Sequence, residues 1–232
     1  MGFSAAGRRA TLVALGASLI LLLAAEGASA QTVRCTGIFT GAAPGNLEIP
    51  EGAFCEMFNA TIGGNVSALR GSSFRMEDTQ VAGNISGVDN RPISIQGGNT
   101  VGGNIELDGG TGELRICGTA LPNGRINVTR WRALDLDIGG GSCVFFRGGN
   151  EFVSASISRN ETEFVPTATG MNVANNTYHR ELRVAHNTGA AEKRVQNNRG
   201  DVLYCAGNSE SFVGGPNEVA KREPPPPRGQ CF

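Results

Sequence analysis

Asp135 and Asp137 stand at i and i+2 with Leu136 between them. On an extended strand this spacing puts both carboxylates on one face, with Cα atoms roughly 6–7 Å apart. A carboxylate pair at that distance can work across a glycosidic bond as acid with nucleophile, or acid with base. Arg115 lies about one repeat upstream and would sit one turn below Asp135, supplying a fixed positive charge. These three are the candidate catalytic residues, and the chemistry they suggest is lysis or hydrolysis of a polysaccharide. A plainer role suits them as well. Glu56, Arg75, Ser94, Arg115 and Asp135 recur at repeat spacing, and on strands about 4.8 Å apart they would form a mild surface ladder of charge.

Arg130-Trp131-Arg132 holds the chain's one tryptophan. An indole between two guanidinium groups could stack on a sugar face, so these are the candidate glycan-binding residues. The alternative is that Trp131 turns inward and fills the core while both arginines are solvated. Arg199-Gly200-Asp201 is a tripeptide read by some adhesion receptors, but three residues recur by chance and the position suits a coil corner. His179 and His186 have no metal-ligand spacing. No calcium nonapeptide, phosphate loop or nucleophile elbow occurs. Neither a metal nor a cofactor is expected.

What must position these residues is a repeat. Small-residue corners recur at Gly45-Asn46-Leu47, Gly64-Asn65-Val66, Gly83-Asn84-Ile85, Gly103-Asn104-Ile105 and Gly124-Arg125-Ile126, in steps of 19, 19, 20 and 21 residues. Such a period marks a solenoid, whose repeats cannot bury a core alone and must stack. Within each repeat, apolar residues alternate with period two. Cys55/Met57, Phe74/Met76, Ile93/Ile95, Leu114/Ile116 and Leu134/Leu136 form one set, and Ile62, Val81 and Val101 another. Three short strands per turn, bent at Gly and Asn, is the plan of a parallel β-helix, with Asn46, Asn65, Asn84 and Asn104 placed to stack as a ladder. The expected fold is all-β, a right-handed parallel β-helix of about 20 residues per coil and roughly ten coils. Residues 139–170 lose register, and the pattern then returns with ladder candidates at Asn187, Asn208 and Asn217.

The first 30 residues read as an export signal: Arg8 and Arg9, an apolar run from Thr11 to Ala25, then Ala28-Ser29-Ala30 before a cleavage point. The run is short for a membrane span, so a single domain of 31–232 is expected in the periplasm or outside the cell, with no membrane attachment once cleaved. Six cysteines follow, an even number that in an exported chain points to disulfides. Neighbours at about one coil's separation should pair as Cys35–Cys55, Cys117–Cys143 and Cys205–Cys231. The first and last of these would staple an N-terminal cap at 31–56 and a C-terminal cap at 205–232. Four prolines within the latter would lie as an extended strap.

The run Asn46-Leu47-Glu48-Ile49-Pro50-Glu51-Gly52-Ala53-Phe54-Cys55 and the Gly-Asn-Val/Ile corners resemble exported bacterial β-helix proteins of unassigned function. The tail resembles them too, through Leu203-Tyr204-Cys205-Ala206-Gly207-Asn208, Gly214-Gly215-Pro216-Asn217 and Gly229-Gln230-Cys231. The likeness covers most of 45–126 and 182–231. It implies export and a β-helix, and carries no catalytic residues to transfer. Arg199-Gly200-Asp201 and the proline run depart from the pattern and bear on the register of the final coil.

Twenty basic and 21 acidic residues leave a net charge of −1, which argues against a nucleic-acid or strongly anionic membrane partner. The function expected is a non-catalytic structural or binding role in the bacterial envelope or exterior, with polysaccharide or an envelope component as partner. A small carbohydrate-active enzyme near Asp135 and Asp137 is the alternative. End-to-end self-assembly is a third reading, opposed by capped ends that favour a monomer.

Overall fold

The structure is a computed structural model that describes residues 31–139, 149–162, 170–209 and 212–223. Among these residues the chain forms strands and no helix, and every strand pairing is parallel. The strands stack as a β-solenoid of about 8 turns with about 21 residues per turn. The export signal, Cys143, Cys231 and the prolines at 224–227 lie outside the described residues.

Three sheets wrap the core, and each is built on inward columns of apolar side chains. In sheet 1 the column runs Leu47, Val66, Ile85, Ile105, Ile126, Ala155, Leu182 and Leu203. In sheet 2 it runs Cys55, Phe74, Ile93, Leu114, Leu136, Met171 and Lys193. Sheet 3 stacks Ala43, Ile62, Val81 and Val101 and, further along, Leu121, Phe152 and Tyr178. All but Lys193 are apolar or aromatic and buried, because the period-two pattern turns alternate side chains into one shared core.

Turns are fewer than the ten expected. The early coils keep the short repeat, but the step from Ile126 to Ala155 in sheet 1 and that from Leu136 to Met171 in sheet 2 are far longer. Within 139–170, where no register was legible, Glu151–Ser158 continues sheet 1 against Leu114–Ala133 on one side and Glu181–Ala185 on the other.

Two of the three corners work by one device. A residue in the left-handed backbone region makes the bend, and an Asn follows it with its side chain turned into the coil. Asn175, Asn197, Arg159 and His186 make such bends (φ 60°, 54°, 58° and 57°) before Asn176, Asn198, Asn160 and Asn187. Each buried Asn donates from Nδ2 to a carbonyl at the end of the preceding sheet, as Asn176 does to Ile138 O at 2.9 Å. Its Oδ1 accepts from the backbone N–H of the equivalent Asn one coil earlier. One ladder runs Asn150, Asn176, Asn198, Asn217 and another Asn160, Asn187, Asn208. The expected candidates at 187, 208 and 217 are ladder members, divided between two corners. The Asn46, Asn65, Asn84, Asn104 ladder forms at the third corner, exposed, each Oδ1 accepting from the next coil's N–H at 2.8 Å and the last from Arg125 N at 3.0 Å.

Cys35 and Cys55 are disulfide-bonded with Cα atoms 5.6 Å apart. Their contact is not one of strand register, since Gly37 is the residue level with Cys55. Cys35 reaches it from the corner before that strand. Cys117 and Cys205 are also disulfide-bonded.

Candidate binding face

Asp135 and Asp137 do not form an exposed pair. Leu136 and Ile138, not Leu134 and Leu136, continue the inward columns of sheet 2, and Leu134 is 39% exposed. This two-residue slip brings Asp137, not Asp135, level with Arg115. The outward column is therefore Glu56, Arg75, Ser94, Arg115, Asp137, Asn172. Asp137 is fully buried there, and the Arg115 guanidinium turns to Glu113 at 3.2 Å. The slip arises at the corner after Trp131, where the chain takes in Leu134 before the next strand, Asp135–Ile138, begins.

Trp131 is an interior residue, completely buried. Its Nε1 donates to Gly112 O at 3.1 Å, and its ring covers Gly110, where a Cβ would lie 2.6 Å from Cζ3. It cannot stack on a ligand. Its neighbours point outward: Arg130 grips Asp108 through both Nε and Nη2, and Arg132 approaches Glu161 at 3.4 Å. That contact with Arg130, with a second hydrogen bond from the Thr129 hydroxyl, holds the Asp108 carboxyl below the usual carboxylate range. Arg199-Gly200-Asp201 opens the strand Arg199–Ala206 at the passage from sheet 3, where Arg199 is level with Thr177, to sheet 1, where Val202 is level with Glu181, so it does sit at a coil corner. A Cβ on Gly200 would meet the Tyr178 ring at 2.4 Å, so packing alone requires that glycine.

The surface that does gather polar groups is the outward side of sheet 1. Ser154, Ser156 and Ser158 alternate with the inward Ala155 and Ile157 along Glu151–Ser158. Three short side chains on one strand leave a low floor between taller neighbours. One wall carries Arg125, Asn127 and Thr129, level with the serines, and behind it stand Glu106 and Asp108. The other carries Arg180, Glu181 and Arg183, with Ser156 level with Arg183. Two clefts, of 510 and 380 Å3, occupy this trough. The first contains Glu106, Arg125, Asn127, Ser154, Ser156, Arg180 and Glu181. The second contains Asp108, Thr129, Arg130, Ser158, Arg159, Arg183 and His186. The trough runs along the strand, across the solenoid. At about 3.3 Å per residue the span Ser154–Ser158 is roughly 13 Å, room for two or three sugar rings.

Five arginines against three carboxylates line it. Asp108 neutralises Arg130. Arg183 lies over the Tyr204 ring with Cζ 4.0 Å from its centroid, a contact that holds the guanidinium flat. Of these residues only Arg130 stood among the sequence candidates. The signal available was Ser at i, i+2 and i+4, which marks a strand with small outward side chains but does not say what flanks it.

Lys193 was also missed. It occupies an inward column next to Met171, fully buried, and its Nζ donates to Gly189 O at 2.7 Å and Ala191 O at 3.0 Å. Burial pushes its pKa down.

Among the described residues no group of three or more His, Cys, Asp or Glu could hold a metal, and no helix is long and apolar enough to cross a membrane. Comparison with protein-family models, curated proteins and solved structures finds no match for this chain.

Proposed function

We propose that this protein is an exported, non-catalytic binding module of the bacterial envelope or exterior, and that the serine-floored trough of sheet 1 holds polysaccharide. The observation that carries the reading is that four successive strands each place two polar side chains on one continuous surface: Glu106 and Asp108, Asn127 and Thr129, Ser156 and Ser158, Glu181 and Arg183. Hydroxyl, amide and charged groups at regular spacing on rigid strands suit a ligand made of repeating hydroxylated rings, because little side-chain freedom is lost on binding. Export agrees with the bonded cysteines, which persist in oxidising compartments. The catalytic alternative needed two solvated acids, and burial of Asp137 withdraws one of them.

The test is calorimetric titration of the oxidised protein with neutral and acidic polysaccharides, with release of reducing or unsaturated ends followed in parallel. Binding without turnover is expected, and Ser156→Phe, which fills the floor, should abolish it. Turnover, or silence in both channels, would overturn the reading. Trp131 fluorescence is the wrong probe, since the indole is buried away from the trough.

A further inference from the structure

The corner end of the trough carries a local excess of positive charge, three arginines against one carboxylate. Many exposed arginines elsewhere find acids: Arg34 with Glu48, Arg70 with Asp89, Arg75 with Glu56 and Glu77, Arg132 with Glu161. In the second cleft Asp108 is the only carboxylate, and Arg130 takes it. Arg159 and Arg183 share that cleft, and among the described residues neither has a carboxylate within ion-pair distance. Arg183 is fixed on Tyr204, and Ser158 lines the same cleft.

The backbone at this corner is also unusual. The corner position follows the sequence Asp89, Gly109, Arg130, Arg159, His186, Gly207, with φ of 50°, 73°, 56°, 58°, 57° and 67°. Gly, and to a lesser degree Asp, adopt this left-handed region readily, whereas a long side chain does so against a steric penalty. Two successive coils put Arg there, at the mouth of a cleft. A strained residue held where a relaxed one would serve the fold better points to use of its side chain.

We propose that the trough takes an acidic oligosaccharide, with one carboxylate or sulfate ester of the sugar chain seated between Arg159 and Arg183 at the corner end. This rests on the polysaccharide reading above and adds the ligand's charge. Guanidinium groups match both anions through paired N–H donors. The neutral part of the ligand would lie over Ser156 and Ser154 toward Asn127 and Glu181, where the floor is uncharged.

The experiment titrates the oxidised full-length protein calorimetrically with oligogalacturonate, dextran sulfate and neutral dextran at low and moderate salt. Arg159→Gly, Arg183→Gln and Arg75→Gln are examined alongside, the last on another sheet. One or both acidic ligands should bind and the neutral one should not, and which acid binds identifies the anion. Affinity should weaken with salt. Arg159→Gly and Arg183→Gln should each lose about tenfold or more, as expected for a charge-assisted pair, and Arg75→Gln should bind normally. Arg159→Gly should melt at the same temperature or higher than the parent, since Gly relieves the corner while removing the ligand's partner. Neutral dextran binding as well as the acids, with Arg159→Gly unaffected, would overturn this inference and leave the trough reading standing. Single-stranded DNA, titrated as a fourth ligand, binding in preference to either acid would overturn it too. Failure of every polysaccharide would overturn both.

Discussion

Tyr178 shows how one residue can couple this core to pH. It is 2% exposed, stacked at 6.1 Å on Phe152, and its hydroxyl has no hydrogen-bond partner among the described residues. Burial, with a smaller contribution from the Asp201 charge, pushes the phenol's pKa well above its usual value. The folded protein therefore keeps a proton that the unfolded chain releases near pH 10. The stabilisation is full below that pH and is lost as pH rises through and beyond it, at up to about 1.4 kcal/mol per pH unit. Tyr178→Phe should match or exceed the parent by up to about 1 kcal/mol near pH 8, since it removes an unsatisfied hydroxyl. At pH 11 its advantage should widen. Urea midpoints of both proteins at the two pH values check this, and equal advantages at both would contradict it.

At the scale of elements, the asparagine ladders divide into two kinds that the sequence writes with the same letter. Asn176 is buried and its side chain joins four groups: it accepts from Asn150 N and Nδ2 and donates to Ile138 O and Asn198 Oδ1. Asn84 lies on the exposed ladder, where water can replace it. Asn176→Ala should cost about 2–4 kcal/mol, because it strands buried donors and acceptors and leaves a cavity. Asn84→Ala should cost less than about 1 kcal/mol. Equal losses in chemical denaturation would mean that the corner bend, and not burial of the polar groups, sets the stability of these turns.

Across the whole molecule, stability should be distributed coil by coil, because each turn touches only its neighbours. The Cys35–Cys55 bond joins residues 20 apart and holds the first turn against the edge. Replacing both by Ala should lower stability by about 3 kcal/mol in the chain-entropy account. The loss should be local: amide exchange should accelerate over residues 32–62 while Leu182 and Leu203, at the far end of the sheet 1 column, keep their protection. A uniform rise along the chain would show that the solenoid opens as one unit instead.

The sequence by itself determined the solenoid, because period-two apolar residues at twenty-residue spacing have no other way to share a core. It also marked the corner ladder at Asn46, Asn65, Asn84 and Asn104, where the repeat is regular enough for linear spacing to equal spatial height, and the first disulfide, although Cys35 reaches Cys55 from a corner and not from the level strand position. That equality fails after Trp131. Extra residues enter the corner, the register moves by two, and Asp137 takes Asp135's expected place in the outward column, buried there, while Leu134 is left outside. Only the tertiary structure decided the candidate site. Arg125, Ser156 and Arg183 lie far apart in the chain and meet because three coils of unequal length still stack strand on strand. Local pattern says which way a side chain points. Which side chains share a surface depends on how many residues each intervening turn absorbs, and that is settled only when the coils stack.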